Sequence, residues 1–427
     1  MKIKNLDKLA ENDSRKFALL IAEAGLEAID TTAAIQRNVK ILGRFLHLGG
    51  EEIELEKIKR IFFVGIGKCS FESGAVIDGI LGDKLNEGIV LDVRKGHLKK
   101  IKVFTGTHPL PSKVNIEATG EIIKMLTGLN EDDLVIFVIS GGGSTLLCRP
   151  AGFALEAELK IFECLTKKGA DIYELNTVRK HLSLARGGNL AKAAYPAKIV
   201  SLIFSDVLGD NLEFIASGPT VKDTTTVAEA GKIFEKYNLK NCSGFTPSEF
   251  IETPKEDKYF ERVRNVIILS NEIALRAMAK KAEEFGFAAE IVDRKFRGEA
   301  KEMGAVIQKN LEAVGAKKVL LYGGETTVTL KNKGKGGRNQ ELALSALRSI
   351  NEKQIIIALA SDGKDNSGHA GALVDTLTKK KSEKLKLSPE KFLEKNNSYD
   401  FFTKVGDYLE TGDTGSNVSD LIIALNG

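Results

Sequence analysis

VIFVISGGGSTLL, residues 135–147, is the stretch on which the reading of this chain turns. Its first half is an unbroken apolar run rich in β-branched side chains, the mark of a strand covered on both faces in a parallel sheet. The run ends in Ser140 and breaks into Gly141, Gly142 and Gly143, a turn whose backbone N–H groups no side chain covers. Ser144 follows as a cap for a short helix. Strand, glycine turn and helix start together predict an anion site, most often one for phosphate.

Outward from this stretch, strand and helix patterns alternate. Apolar positions at helical spacing, from Phe17 to Ile29, predict that residues 15–46 open the chain as helices. Strands are expected at 60–66, 89–93, 102–105, 134–140 and 199–205, with helices at 68–81, 114–126 and 156–167. Residues 242–257, with Gly, two Pro and several charges, interrupt the pattern and read as a linker. The alternation resumes with strands at 265–269, 289–292, 319–322, 326–330, 355–360 and 421–425 and helices at 271–285, 299–314 and 340–349. This predicts an α/β protein with two domains. The first, residues 1–250, is a doubly wound, Rossmann-like parallel sheet, and the second, 251–427, is a smaller α/β domain.

Composition narrows the function. The 427 residues carry 62 basic and 58 acidic side chains, a net charge of +4, so the chain has no electrostatic case for nucleic acid. No apolar segment reaches the length of about 18 residues that a bilayer span needs. The N-terminal residues, rich in Asp and Glu, do not read as a signal peptide. Cys69, Cys148, Cys164 and Cys242 form no metal-binding spacing and read as free thiols of a reducing cytoplasm. Heavy use of Lys and Glu points faintly to a thermophilic source. The Lys379-Lys380-Lys381 run reads as a solvated helix surface.

Polar loops recur at the predicted C-terminal ends of strands, the edge where open α/β sheets bind ligands. In VGIGKCS, residues 64–70, Phe62 stands where a Walker motif needs its first glycine and Cys69 where it needs Ser or Thr. The turn still sets Lys68 among free N–H groups at a helix start, a charge that an anion would relieve. Residues 205–211, SDVLGDN, place Asp206 and Asp210 just past a strand. There they could be a general base, Mg²⁺ ligands or helix caps. Residues 215–220, IASGPT, continue that loop. Gly323-Gly324-Glu325 leads to GKGGRNQE, residues 334–341, where Arg338 offers a planar fork for a carboxylate or phosphate. Loops at 361–365 and 411–417 complete the set. His108, in a proline turn, is either a substrate contact or structural.

In this order the loops resemble glycerate 2-kinases of the type whose C-terminal domain is called MOFRL, over residues 22–425. The resemblance rests on SGGGSTLL, on LNTVRKHLSLARGG at 175–188, on SDVLGDNLEFIASGPTVKD, and on GGETTVTL followed by GKGGRNQE. The family pattern differs at Leu208, Asn211, Lys364, Asn366, Asp413, Ser416 and Ser419. The resemblance implies transfer of the γ-phosphoryl group of ATP to D-glycerate, with Mg²⁺ or another divalent cation, giving 2-phosphoglycerate. It places Lys68, Asp206 and Arg338 at catalytic or substrate-binding positions, with His108 beside them. ATP is expected on Ser140, Gly141, Gly142, Gly143 and Ser144, with Glu325 and Asn339, and the cation on Asp206 and Asp210. A cytoplasmic monomer or homodimer, with no nucleic-acid or membrane partner, is the expected setting. Two rivals stand beside this reading: an NAD(P)-dependent hydroxypyruvate reductase and a non-catalytic sugar-phosphate-binding module. The first lacks its third fingerprint glycine, because Ser70 occupies that position.

Overall fold

In the computed structural model, which describes residues 1–243, 246 and 249–427, the apolar run forms a strand, Asp133–Ile139, buried at every position. In chain order the strands up to this region are β1 Val39–Leu42, β2 Phe45–Leu48, β3 Glu51–Glu54, β4 Arg60–Ile66, β5 Leu85–Asp92, β6 Ile101–Thr105 and β7 Asp133–Ile139. After them come β8 Lys198–Phe204 and β9 Val263–Leu269.

The chain divides into two compact units, residues 34–268 and residues 1–33 joined with 269–427. The expected division at 250/251 therefore differs from the observed one at both ends. Residues 1–33 leave the first unit, and 251–268 join it because β9 extends its sheet. Gly244, Phe245, Pro247 and Ser248 of the expected linker lie outside the described residues.

In the unit spanning 34–268 the six-stranded order is β6-β5-β4-β7-β8-β9. The pairs from β6 through β8 are parallel. From β4 the chain winds outward through β5 and β6, and from β7 in the other direction. That strand order makes the β4–β7 boundary the topological switch point of a doubly wound sheet. The two strands run in register to Ile66 opposite Ile139, so the loops that follow emerge side by side. Helix Lys113–Leu126 closes one face, with Ile122 and Leu126 packed on Phe62, Val64, Val135 and Phe137. The expectation of helix through residue 46 fails after Asn38. β1, β2 and β3 form an antiparallel meander whose four-residue strands are too short to announce themselves by periodicity.

The cysteine reading is corrected as well. Cys164, on helix Leu155–Lys167, and Cys242, on the short helix Lys240–Ser243, form a disulfide, leaving Cys69 and Cys148 as thiols. Their separation of 78 residues gives no spacing signal, and only the packing of the two helices brings them together.

The other unit holds β10 Ala288–Phe296, β11 Lys318–Gly324, β12 Gln354–Ala360, β13 Gly371–Val374, β14 Tyr408–Leu409 and β15 Asp420–Asn426. Their order is β10-β11-β15-β12-β13-β14. Only β10 and β11 pair in parallel; the other four pairs are antiparallel. The expected strand at 326–330 reduces to a single bridge between Thr327 and Glu299. There the Thr327 N–H donates to Gly298 O at 2.8 Å and the Thr329 N–H to the Glu299 carboxylate at 2.8 Å, so the segment has no partner strand.

Helix Asp13–Ala28 packs into this unit through its buried face, Ala18, Leu19, Ile21, Ala22 and Leu26, and through one charged side chain. Arg15 is fully buried, and its guanidinium donates to both oxygens of Asp375 at 2.7 Å and both oxygens of Asp407 at 3.1 Å. Lys381 also reaches Asp407, at 2.7 Å, so the lysine run is not uniformly solvated. Lys379 and Lys380 are exposed, whereas Lys381 is half-buried in the cluster. Arg15→Met would leave two buried carboxylates without their bidentate partner. We expect it to destabilise this unit by about 3–5 kcal/mol, read as a shift of the unfolding midpoint in urea. A loss below about 1 kcal/mol would mean that Lys381 alone sustains the pair.

Candidate active site

The loops after β4 and β7 touch. The Lys68 N–H donates to Gly141 O at 3.0 Å, and the Cys69 N–H to Ser140 Oγ at 3.2 Å. Helix Ser70–Leu81 starts two residues later than expected, so Lys68 lies exposed in the turn ahead of it. Its stem crosses the glycine loop: a methyl group placed on Gly142 would lie 3.1 Å from Lys68 Cε and 3.3 Å from His108 Cδ2. A methyl on the neighbouring Gly141 would strike the Asp206 carboxylate. Four loops, after β4, β6, β7 and β8, thus bring a cation, an imidazole, bare backbone and a carboxylate to one point. Burial first, and then the Lys68 ammonium, holds the His108 ring below the usual histidine range, so it is neutral at neutral pH.

Asn115 fixes the His108 loop. Its Oδ1 accepts from the Thr107 N–H at 3.0 Å, and its Nδ2 donates to Thr107 O at 3.1 Å and Leu146 O at 3.2 Å. The sequence reading missed it, although Ser112 and Asn115 carry the spacing of a capping box. Beyond β8, Asp206 is half-buried, and Asp210 sits in the left-handed region with its N–H bonded to Val207 O at 3.0 Å. It is Asp206 that meets the glycine loop. Ala216 and Ser217 follow with φ of 51° and 59°, a conformation that costs non-glycine residues on the order of 1–3 kcal/mol each. Ser217 Oγ offsets this by donating to Asn176 Oδ1 at 2.8 Å while lying 3.0 Å from Ser144 Oγ.

In the other unit, Arg338 opens helix Arg338–Leu347 and is held from two sides. Asp420, at the start of β15, accepts from its Nε at 2.5 Å and its Nη2 at 3.0 Å, and Glu325 accepts from Nη2 at 3.0 Å. Burial works against the charge, but Asp420 outweighs it and holds the guanidinium protonated above its ordinary range. The Arg338 fork is therefore positioned by carboxylates before any ligand arrives. Glu325 is one of those carboxylates. Asn339 is buried, and its N–H and Nδ2 donate to Asp365 at 3.0 and 3.2 Å. Asp365 also accepts the Gln340 N–H at 2.9 Å, capping the helix from the loop after β12. Asp365 closes the 361–365 loop noted in the sequence but was given no role there, and Asp420, at a strand end with no motif of its own, was not singled out.

Against this geometry the comparisons are decisive. The family model described as "Domain of unknown function (DUF4147)" matches residues 17–245, and that of the MOFRL family matches 318–420. A glycerate 2-kinase of Pyrococcus horikoshii is 38% identical, over 97% of both chains. The chain belongs to the MOFRL-type glycerate kinase family. A D-glycerate 2-kinase of Thermotoga maritima is 36% identical over 96% of this chain and 98% of its own. The crystal structure of a glycerate kinase from that organism superposes with a TM-score of 0.87, at 35% identity, over 96% of this chain and 99% of that one. An Agrobacterium vitis relative, 38% identical over 86% of this chain and 87% of its own, is provisionally named a hydroxypyruvate reductase. Among the described residues of this glycerate kinase family member, no group of three or more His, Cys, Asp or Glu side chains could hold a metal ion. Nor is any helix among them long and apolar enough to cross a membrane.

His369 supports the Arg338 helix from below, stacked on Tyr408 at 3.9 Å and 3.2 Å from Gln340 Oε1. Burial lowers its pKa from 6.5 to about 4, so between these values the unfolded chain binds a proton that the folded chain does not. Stability is accordingly expected to fall as pH drops from 6.5 to 4, by on the order of 2 kcal/mol from this group. Urea titrations across that window, repeated on His369→Phe, should show the slope flattened in the variant.

Proposed function

We propose that this chain transfers the γ-phosphoryl group of ATP to the 2-hydroxyl of D-glycerate, giving 2-phosphoglycerate and ADP. The observation that carries the reading is the convergence of Lys68, His108 and Asp206 on two adjacent glycines, Gly141 and Gly142, at the switch point. Phosphoryl transfer asks for positioned charge and unobstructed backbone donors more than for covalent chemistry.

In this reading the Ser140–Ser144 loop turns its N–H groups to the ATP phosphates. Lys68 neutralises the transferring phosphoryl or the glycerate carboxylate. Neutral His108 hydrogen-bonds the acceptor, and Asp206 either takes the proton of the attacking hydroxyl or holds the cation. Arg338, pre-set by Asp420 and Glu325, binds carboxylate or phosphoryl oxygens, with Asn339 as a positioning residue. Mg²⁺ suits Asp206, with Asp210 as the second candidate ligand, because this ion takes one or two carboxylates and fills its shell with phosphate and water; when bound it would neutralise phosphate charge. A cytoplasmic monomer or homodimer belongs to the same proposal. The Cys164–Cys242 disulfide accords with it in a thermophile, where intracellular disulfides are common.

One observation weighs against the reductase. In a dinucleotide site the acid at the end of the second strand takes the ribose hydroxyls. Here that residue is Asp92, fully buried, accepting from the Phe71, Val93 and Arg94 N–H groups at 2.8, 2.6 and 3.1 Å.

Incubation with ATP, Mg²⁺ and D-glycerate, followed by ³¹P NMR, is expected to show 2-phosphoglycerate. Oxidation of a reduced nicotinamide by hydroxypyruvate, without phosphate transfer, would overturn the proposal. Asp206→Asn should lower kcat by about 10²–10⁴-fold with an unchanged melting temperature, and normal turnover would remove its role as base. Gly141→Ala should displace the same carboxylate and lower kcat at least tenfold, while leaving the fold intact.

A further inference from the structure

A cavity of about 440 Å³ opens beside the glycine loop, reaching from Ser144 and Thr145 to helix Leu155–Lys167 and the Pro109–Pro111 turn. One wall is apolar, built from Pro111, Leu159 and Phe162. The same lining carries two guanidiniums, Arg179 and Arg186. Arg186 is 1% exposed and donates from Nη1 to the buried Glu158 at 2.8 Å. Its Nε, among the described residues, has no hydrogen-bond partner. Arg179 lies over the Phe162 ring at 4.4 Å. Two arginines thus share one buried carboxylate, an arrangement with one positive charge in excess and an orphaned donor. Burial, and next the repulsion of Arg186, lowers the pKa of Arg179 to about 10, which an anion in the cavity would reverse.

We infer that this cavity holds the nucleotide: Arg179 and Arg186 bind its phosphate oxygens, and Pro111, Leu159 and Phe162 cover its base. The inference deepens the kinase reading and rests on it. Three features choose a nucleotide over a three-carbon acid. The volume lies in the range of drug-sized ligands. Apolar side chains and two guanidiniums line the same cavity, matching a molecule with an aromatic end and an anionic end. The cavity is also continuous with Ser144 and Thr145, so phosphates reaching from it run along the glycine loop toward Lys68. An unpaired buried guanidinium N–H is expensive, and a phosphate oxygen satisfies it.

The test uses the full chain and ADP carrying an N-methylanthraniloyl fluorophore, titrated by fluorescence. Two variants probe the apolar and the cationic parts of the lining: Leu159→Trp fills the cavity from a half-buried position, and Arg179→Gln removes one charge without stranding Glu158. Each is expected to raise the Kd for the nucleotide at least tenfold, with a melting temperature near that of the parent and a KM for D-glycerate within twofold. Unchanged nucleotide Kd in a folded variant of either wall would overturn the inference. A tenfold rise in the KM for D-glycerate with unchanged nucleotide binding would reassign the cavity to the acceptor and equally overturn it. Should the parent bind the nucleotide through these walls yet fail to phosphorylate D-glycerate, the kinase reading falls and the cavity assignment stands.

Discussion

Everything at the candidate site depends on how closely two backbones pass where β4 and β7 end. In-register parallel pairing delivers both loops to the same spot, and a methyl group on Gly67 would collide with Ser140. Only bare backbone fits there. The same bareness one residue further lets the Asp206 carboxylate rest on Gly141, and then lets the Lys68 stem cross Gly142. A glycine-rich loop is usually credited with cradling phosphate. Here its first task is to let a carboxylate and a cation approach each other's neighbourhood without a side chain between them.

Charge is managed differently in the two units. In residues 34–268 the cation at the glycine loop, Lys68, is exposed, and the strain near it is held by hydroxyls and amides such as Ser217 and Asn176. In the other unit both key guanidiniums are clamped by carboxylates, Arg15 by Asp375 and Asp407, and Arg338 by Asp420 and Glu325. A buried arginine pair adds little net stability but penalises any arrangement that separates the partners. Such pairs therefore fix geometry. For Arg338 this means that the fork keeps its orientation before a ligand arrives, which lowers the ordering entropy lost on binding.

The parallel sheet could be read from residues alone because continuous apolar runs such as 60–66 and 134–140 admit few other structures. Strand direction could not. Alternating strands and helices give element types, yet β15, last in the chain, inserts antiparallel between β11 and β12. Short strands escaped for the same reason of scale: four residues, as in β1 or β13, carry no measurable period. At the site, Lys68, Asp206 and Arg338 stood out because a charge beside glycines at a strand end is chemically unusual. Their supports did not. Asn115, Asp365 and Asp420 act by accepting or donating at atoms contributed from distant loops, and the Cys164–Cys242 pair is set by helix packing rather than spacing.

The placement of Arg15 has a consequence for biosynthesis. The carboxylates that neutralise it lie 360 and 392 residues downstream, so the arginine leaves the ribosome long before either partner exists. At typical elongation rates the wait is on the order of 20–80 s. Residues 34–268 are contiguous and meet no such delay; their sheet is complete once β9 emerges. The connectivity thereby separates the two units in time: every strand of the sheet that carries Lys68 and Asp206 has been synthesised before Asp375 and Asp407 exist. Until those two carboxylates have been made, helix Asp13–Ala28 carries Arg15 without the groups that neutralise it.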